Sequence, residues 1–238
     1  TKRWQEIESR LLRQGFWCDS SQRQTGGDGE ARDLEDIDRL LDALDQSPHA
    51  KNTIVVLFSD HGFHLGEKER WAKQSLWERS TRVPLIVSVP NGLEGKVCER
   101  PVELLSIYPT LLKLCDLPVR DDLDGVSLQP LLENSDAAWE HVALTTYQRN
   151  NHAVRSQHYR YIRYADGSEE FYDHRVDPHE WNNLASQPGI APLLKQHADR
   201  LPQSNASEAR VSIKKSGQPQ PMKSGVLPIS GRRDSDEN

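Results

Sequence analysis

With 238 residues the chain is long enough for one large domain or two smaller ones with a substantial core. Only 35% of its residues are hydrophobic and its mean hydropathy is −0.75, so part of it is expected to be disordered or to lean on a partner surface. A formal net charge of −6 excludes the basic footprint of a nucleic-acid-binding protein, and no stretch reaches the ~20 apolar residues of a membrane span.

Within residues 1–16, Trp4, Ile7, Leu11 and Leu12 fall at helical spacing, and residues 18–30 read as a glycine-bearing loop. Leu34, Ile37, Leu40, Leu41 and Leu44 form a helical stripe that Ser47-Pro48 ends. Residues 53–58 and 83–89 are apolar, β-branched runs without alternation, as in strands buried on both faces. Alternation of helix and strand makes the class α/β and puts both runs in one parallel-rich sheet. A helix over residues 106–115 tolerates Pro109 in its first turn, and "LDGVSLQPLLEN" predicts a turn and a short helix. From about residue 139 the pattern changes to short aromatic and β-branched strands, "HVALTTY", "HAVRS", "YRYIRY" and "EEFYDH". Ala165-Asp166-Gly167-Ser168 marks a hairpin between the last two, and "IAPLLKQHADRL" a closing amphipathic helix. The expected organisation is a diverged lead-in over 1–33, a main α/β part over 34–138, a small antiparallel sheet with its helix over 139–202, and a disordered tail over 203–238.

The chemistry concentrates in "SDHGFHLGEKERWAK", residues 59–73. Ligands of open α/β sheets bind beyond the carboxyl ends of the strands, where Asp60 and His61 lie, and Gly62 permits an unusual turn that lets both converge. A carboxylate beside a neutral imidazole suits a divalent cation. Lys73 would add a point positive charge where an oxyanion sits, and metal with ammonium suits a tetrahedral sulfate or phosphate. The bland alternative is a capped strand end followed by a solvated run, because two ligands alone do not make a metal site. Phe63, Leu65, Trp71 and Trp77 are read as packing residues, Glu67–Arg70 as a charged surface turn, and His64 as a residue within reach of substrate.

The stretch "NTIVVLFSDHGFHLGEKERWAKQSLWERSTRVPLIVSVPNG", with "ERPVELLSIYPTLLKLCDLP", "LDGVSLQPLL" and "RYIRYADGSEEFYDHRVDPHEWNNLA", resembles the C-terminal signature region of the sulfatases. These belong to the alkaline-phosphatase-like superfamily, and the nearest likeness is to iduronate-2-sulfatase-like bacterial members, over roughly residues 37–202. The resemblance implies that residues 34–138 are the C-terminal part of the main sulfatase domain, that Asp60 and His61 hold Ca2+, and that Lys73 binds sulfate. It also implies a formylglycine nucleophile, made from the Cys or Ser of a C-x-P-S-R or C-x-A-S-R motif. Cys18 opens "CDSSQ", Cys98 "CERPV" and Cys115 "CDLPV", and none fits. These three are also too few and too scattered for a zinc cluster or disulfide framework, and read as ordinary thiols. The chain is therefore expected to be a sulfatase fragment, inactive alone, whose nucleophile and remaining metal ligands come from a missing N-terminal part.

The same resemblance suggests a sulfated sugar or polysaccharide as substrate, and a periplasmic or secreted location. Residues 145–156 are expected near the cleft, with His152 and Arg155 as candidate substrate contacts. A phosphodiesterase or phosphonate hydrolase of the same superfamily, and a non-catalytic remnant or interaction module, are the competing readings.

Overall fold

A computed structural model describes residues 15–18, 28–92 and 95–207. The expectations for residues 1–14, 19–27 and 208–238, with most of the lead-in and tail, lie outside the described residues. In chain order the elements begin with β1 (Gly15–Cys18), α1 (Asp28–Asp45), β2 (Val55–Phe58), α2 (Glu78–Thr81) and β3 (Leu85–Ser88). They continue with β4 (Lys96–Cys98), α3 (Ile107–Leu114) and α4 (Gln129–Glu133). The last are β5 (Ala143–Thr146), β6 (His152–Arg155), β7 (Tyr159–Arg163), β8 (Glu169–Asp173) and α5 (Ala191–Ala198).

The first sheet has the order β2-β3-β1-β4. The two apolar runs share it as expected, but β2 and β3 pair antiparallel, with Val56 opposite Val87. The reason lies in residues 59–84, which contain only short helical turns. A parallel return needs a crossover, usually a helix lying on the sheet; here the chain folds back at the strand end instead. β1 runs antiparallel to β3 and parallel to β4, and neither short strand is evident in the sequence pattern. β3 is buried along its whole length, whereas β2, at the edge among the described residues, is half-buried with Phe58 50% exposed. The reading of residues 53–58 as buried on both faces is corrected accordingly.

Leu85, Val87 and Cys98 pack with Leu128, Leu131 and Leu132 of the α4 region into one core cluster. Burying side chains of this size stabilises by about 1.5–3 kcal/mol each. α3 carries Pro109 in its first turn, as the missing N–H requires. Cys98 is a buried thiol and Cys115 an exposed one.

The second sheet is an antiparallel meander, β5-β6-β7-β8. Its period-2 alternation gives each face a distinct task. Val154, Tyr161 and Phe171 face Leu193, Leu194 and Ala198 of α5. Ala153, Ile162 and Tyr172 pack on Leu76 and Trp77, which belong to the segment between β2 and β3. The hairpin before β8 turns at Gly167, whose φ of +85° is one that side chains rarely adopt.

Candidate active site

β2 ends at Phe58, and the chain turns sharply. Ser59 Oγ donates to the His61 carbonyl at 2.9 Å, and the Gly62 N–H donates to the Ser80 carbonyl at 2.9 Å. A Cβ on Gly62 would lie 2.0 Å from the Arg79 carbonyl oxygen. The glycine is thus required by close approach of two backbones, not by an unusual φ.

That turn sets out Asp60 and His61 side by side. The Asp60 side chain is 82% exposed, with Oδ2 3.7 Å from His61 Nε2. His61 Nδ1 lies 2.8 Å from the Gly62 carbonyl, which can only accept, so Nδ1 carries the ring proton and Nε2 keeps its lone pair. Lys73 Nζ donates to that Nε2 at 2.8 Å. A backbone carbonyl holding the far nitrogen is how ligating histidines are commonly oriented. Nε2 has a single lone pair, so a divalent cation ligated there would displace the Lys73 ammonium from it; His61 and Asp60 would then supply two of the six to eight ligands, mostly oxygen, that Ca2+ takes. Asp60, His61 and Lys73 open on a cavity of about 750 Å3 that Thr145, Tyr147 and Arg155 also line.

Lys73 reaches this point because the preceding loop doubles back. Gly66 sits at φ +114°, and Lys68 and Glu69 at φ 55° and 57°. Glu67–Arg70 is consequently more than a charged surface turn. Burial alone would raise the Glu67 carboxyl, but the Leu65 N–H and the Arg79 guanidinium bonded to it bring it down to about 2. Lys68 Nζ donates to the Tyr172 hydroxyl at 3.1 Å and to the Glu180 carbonyl. Among the expected packing residues, Trp77 is half-buried with Nε1 donating to Glu170, while Leu65 and Trp71 are exposed.

Part of the cavity wall is a largely buried ion cluster that sequence reasoning missed. Glu78 and Glu180 are 5% and 1% exposed, and Arg160 is 2% exposed. Arg160 bonds Glu78, and its Nε stands 2.7 Å from Glu180 Oε1, close enough for the charges although off the line of a good hydrogen bond. Arg155 Nε lies 3.4 Å from Glu78 Oε2, and His174 Nε2 lies 2.9 Å from Glu180 Oε1. Burial would raise Glu78, yet Arg160 and Arg155 hold it at about 2. Glu78, His174 and Glu180 come close enough together to hold a metal. The guanidiniums already neutralise them, and a dication there would face two buried cations, so we read an ion-pair cluster. Glu78 lies 77 to 102 residues in sequence from Arg155, Arg160 and Glu180, which is why no local pattern announces the cluster.

The remaining predicted contacts are placed as follows. Arg155 lines the cavity while pairing with Glu78. His152 is 4% exposed and bonds Thr146 Oγ1 at 2.8 Å across β5 and β6. His64 is 0% exposed, with Nε2 2.9 Å from Ser75 Oγ. Neither of these histidines lines the cavity.

Residues 66–207 match the family described as N-sulphoglucosamine sulphohydrolase, C-terminal. A sulfatase of Formosa agariphila is 46% identical over 172 residues, covering 72% of this chain and 34% of that protein. The N-acetylglucosamine-6-O-sulfatase of Bacteroides thetaiotaomicron is 30% identical, covering 68% and 32%. A solved structure described as in complex with its substrate, D-glucosamine-2-N,6-O-disulfate, superposes with a TM-score of 0.65 at 31% identity, covering 70% and 36%. The chain thus spans about a third of the length of these relatives. Over that third, sequence and α/β architecture agree: the chain belongs to the sulfatase family of the alkaline-phosphatase-like superfamily.

Proposed function

We propose that the chain supplies the metal-binding and sulfate-binding half of a sulfuric ester hydrolase acting on sulfated sugars. The observation that carries this reading is the convergence of Asp60, His61 and Lys73 on one cavity, with Lys73 Nζ 2.8 Å from His61 Nε2. In it Asp60 and His61 hold Ca2+, which when bound polarises the sulfate oxygens. Lys73 contributes an ammonium that pairs with a sulfate oxygen and counters charge developing on the ester. Its own backbone is set by the 59–75 loops, so the ammonium would stay beside the site when a cation takes the His61 lone pair. The named sugar sulfatases support a sulfated sugar as the substrate class, and the iduronate 2-O ester of the original expectation is one member of it to assay.

The 238 residues contain no C-x-P-S-R or C-x-A-S-R motif, so in this reading the chain binds a sulfated sugar but does not turn it over by itself. Calorimetry with glucosamine 6-sulfate and Ca2+ tests the proposal. Lys73→Ala removes a charge-assisted contact worth about 1.5–3 kcal/mol and should weaken binding roughly 10- to 100-fold. Asp60→Asn should abolish the Ca2+ dependence. Equal affinities for the wild type and both variants, or metal-dependent turnover by the chain alone, would overturn it.

A further inference from the structure

We propose that His64 is a positioning residue that clamps both flanks of Lys73, so that the lysine meets His61. The consequence for substrate binding rests on the role given to Lys73 above; the geometry does not.

His64 was a candidate substrate contact from its place in the motif, but it is 0% exposed and does not line the cavity. Its backbone N–H donates to the Ala72 carbonyl at 3.0 Å, immediately before Lys73. Its ring Nε2 lies 2.9 Å from Ser75 Oγ, just beyond Lys73, and the Ser75 N–H donates to the Lys73 carbonyl at 3.0 Å. The opposite ring nitrogen, Nδ1, faces the Glu67 carbonyl at 3.2 Å and so must donate, which leaves Nε2 to accept the Ser75 hydroxyl in the neutral ring. Burial favours that neutral form.

The bonds close a circuit. Ser75 Oγ lies 2.8 Å from Ser80 Oγ, and the Ser80 carbonyl takes the N–H of Gly62, the residue after His61. His64 therefore ties the segment bearing Lys73 to the one bearing His61 through bonds on both sides. The ring also stands edge-on to Trp77 at 5.8 Å. A leucine would fill similar space but make neither ring bond. Lys73 is exposed and has a long flexible stem, so whether its ammonium can reach His61 depends on where its backbone is fixed.

The test uses the chain itself, with nitrogen NMR of the His61 ring in the absence of Ca2+ as readout and glucosamine 6-sulfate affinity beside it. Lys73→Ala defines the His61 Nε2 resonance that has lost its ammonium donor. His64→Leu removes both ring bonds, and His64→Asn keeps a donor near Glu67 but cannot reach Ser75. His64→Gln keeps a far acceptor for Ser75. We expect the Leu and Asn variants to move the His61 resonance to the Lys73→Ala position and lose about ten-fold in sugar affinity, with unchanged circular dichroism, and the Gln variant to recover most of both. A folded Leu or Asn variant with the wild-type His61 resonance overturns the proposal. Should both fail to fold, Ser75→Ala decides in the same way: a moved resonance supports the clamp and an unmoved one overturns it. If Lys73→Ala leaves sugar affinity intact, the reading of the site fails, while the resonance comparison still decides the positioning role.

Discussion

Replacing Arg160 by Met tests the buried ion cluster. The substitution preserves much of the side-chain volume and removes the guanidinium between Glu78 and Glu180. Glu78 would keep Arg155 at 3.4 Å and Arg82 at 3.5 Å, and the Glu180 carboxylate would keep His174 at 2.9 Å. Lys68 reaches the Glu180 carbonyl, not its carboxylate. Removing one partner of a buried pair costs about 3–5 kcal/mol. The Glu78 acidity gives a similar figure, since holding it at about 2 rather than the ordinary 4.5 corresponds to about 3 kcal/mol. For a chain of this size that is a fall in Tm of about 6–20 °C. Because the folded acidity lies below the unfolded one, this stabilisation is present above pH 4.5 and is lost as pH falls towards 2. Urea unfolding at pH 7 and at pH 3 should therefore show a large deficit for Arg160→Met that shrinks in acid. A deficit under about 1 kcal/mol at pH 7, or one that does not change with pH, would refute the argument.

Gly62→Ala forces a methyl group against the Arg79 carbonyl, and a cost of about 1–3 kcal/mol is expected, with loss of the His61–Lys73 contact; an unchanged melting temperature would show that the two backbones can separate freely. Burial lowers the folded-state acidity of His64, His152 and His197 below the ordinary 6.5. The unfolded chain then takes up protons first, so these rings should make stability decline as pH falls from 7 to 5, opposed by Glu103, whose carboxyl burial pushes up. A flat urea midpoint over that interval would contradict the burial of these rings.

The sequence exposes those parts of the fold that depend on local periodicity. The helical stripe ending at Ser47-Pro48, the strand at residues 55–58, the turn at Gly167 and the closing helix all depend on neighbours in sequence, and each is found. Strand direction is different. It depends on whether residues 59–84 lie across the sheet or fold back at its end, and a loop rich in charge and tryptophan does not reveal that. The short strands β1 and β4 have three or four residues each and carry no usable pattern. At the site, Asp60, His61 and Lys73 could be picked out from residue chemistry at a strand end. Glu78, Arg160 and Glu180 could not, because charged residues usually mark solvated faces. His64 shows the opposite failure: its place in a reactive motif suggested contact with substrate, whereas its ring is fully buried.

One face of the second sheet presents Arg155 and Arg160 to Glu78, and through Lys68, Trp77 and Leu76 it grips the same segment that carries Lys73. Exchanging residues 143–180 for those of a relative would thus exchange the anchorage of the loop that carries Lys73 as well. The smallest transplantable unit includes residues 67–82 together with that sheet. A chimera that joined residues 67–82 without the sheet would bury Glu78 without Arg155 and Arg160, and one that joined the sheet without them would leave those guanidiniums without Glu78.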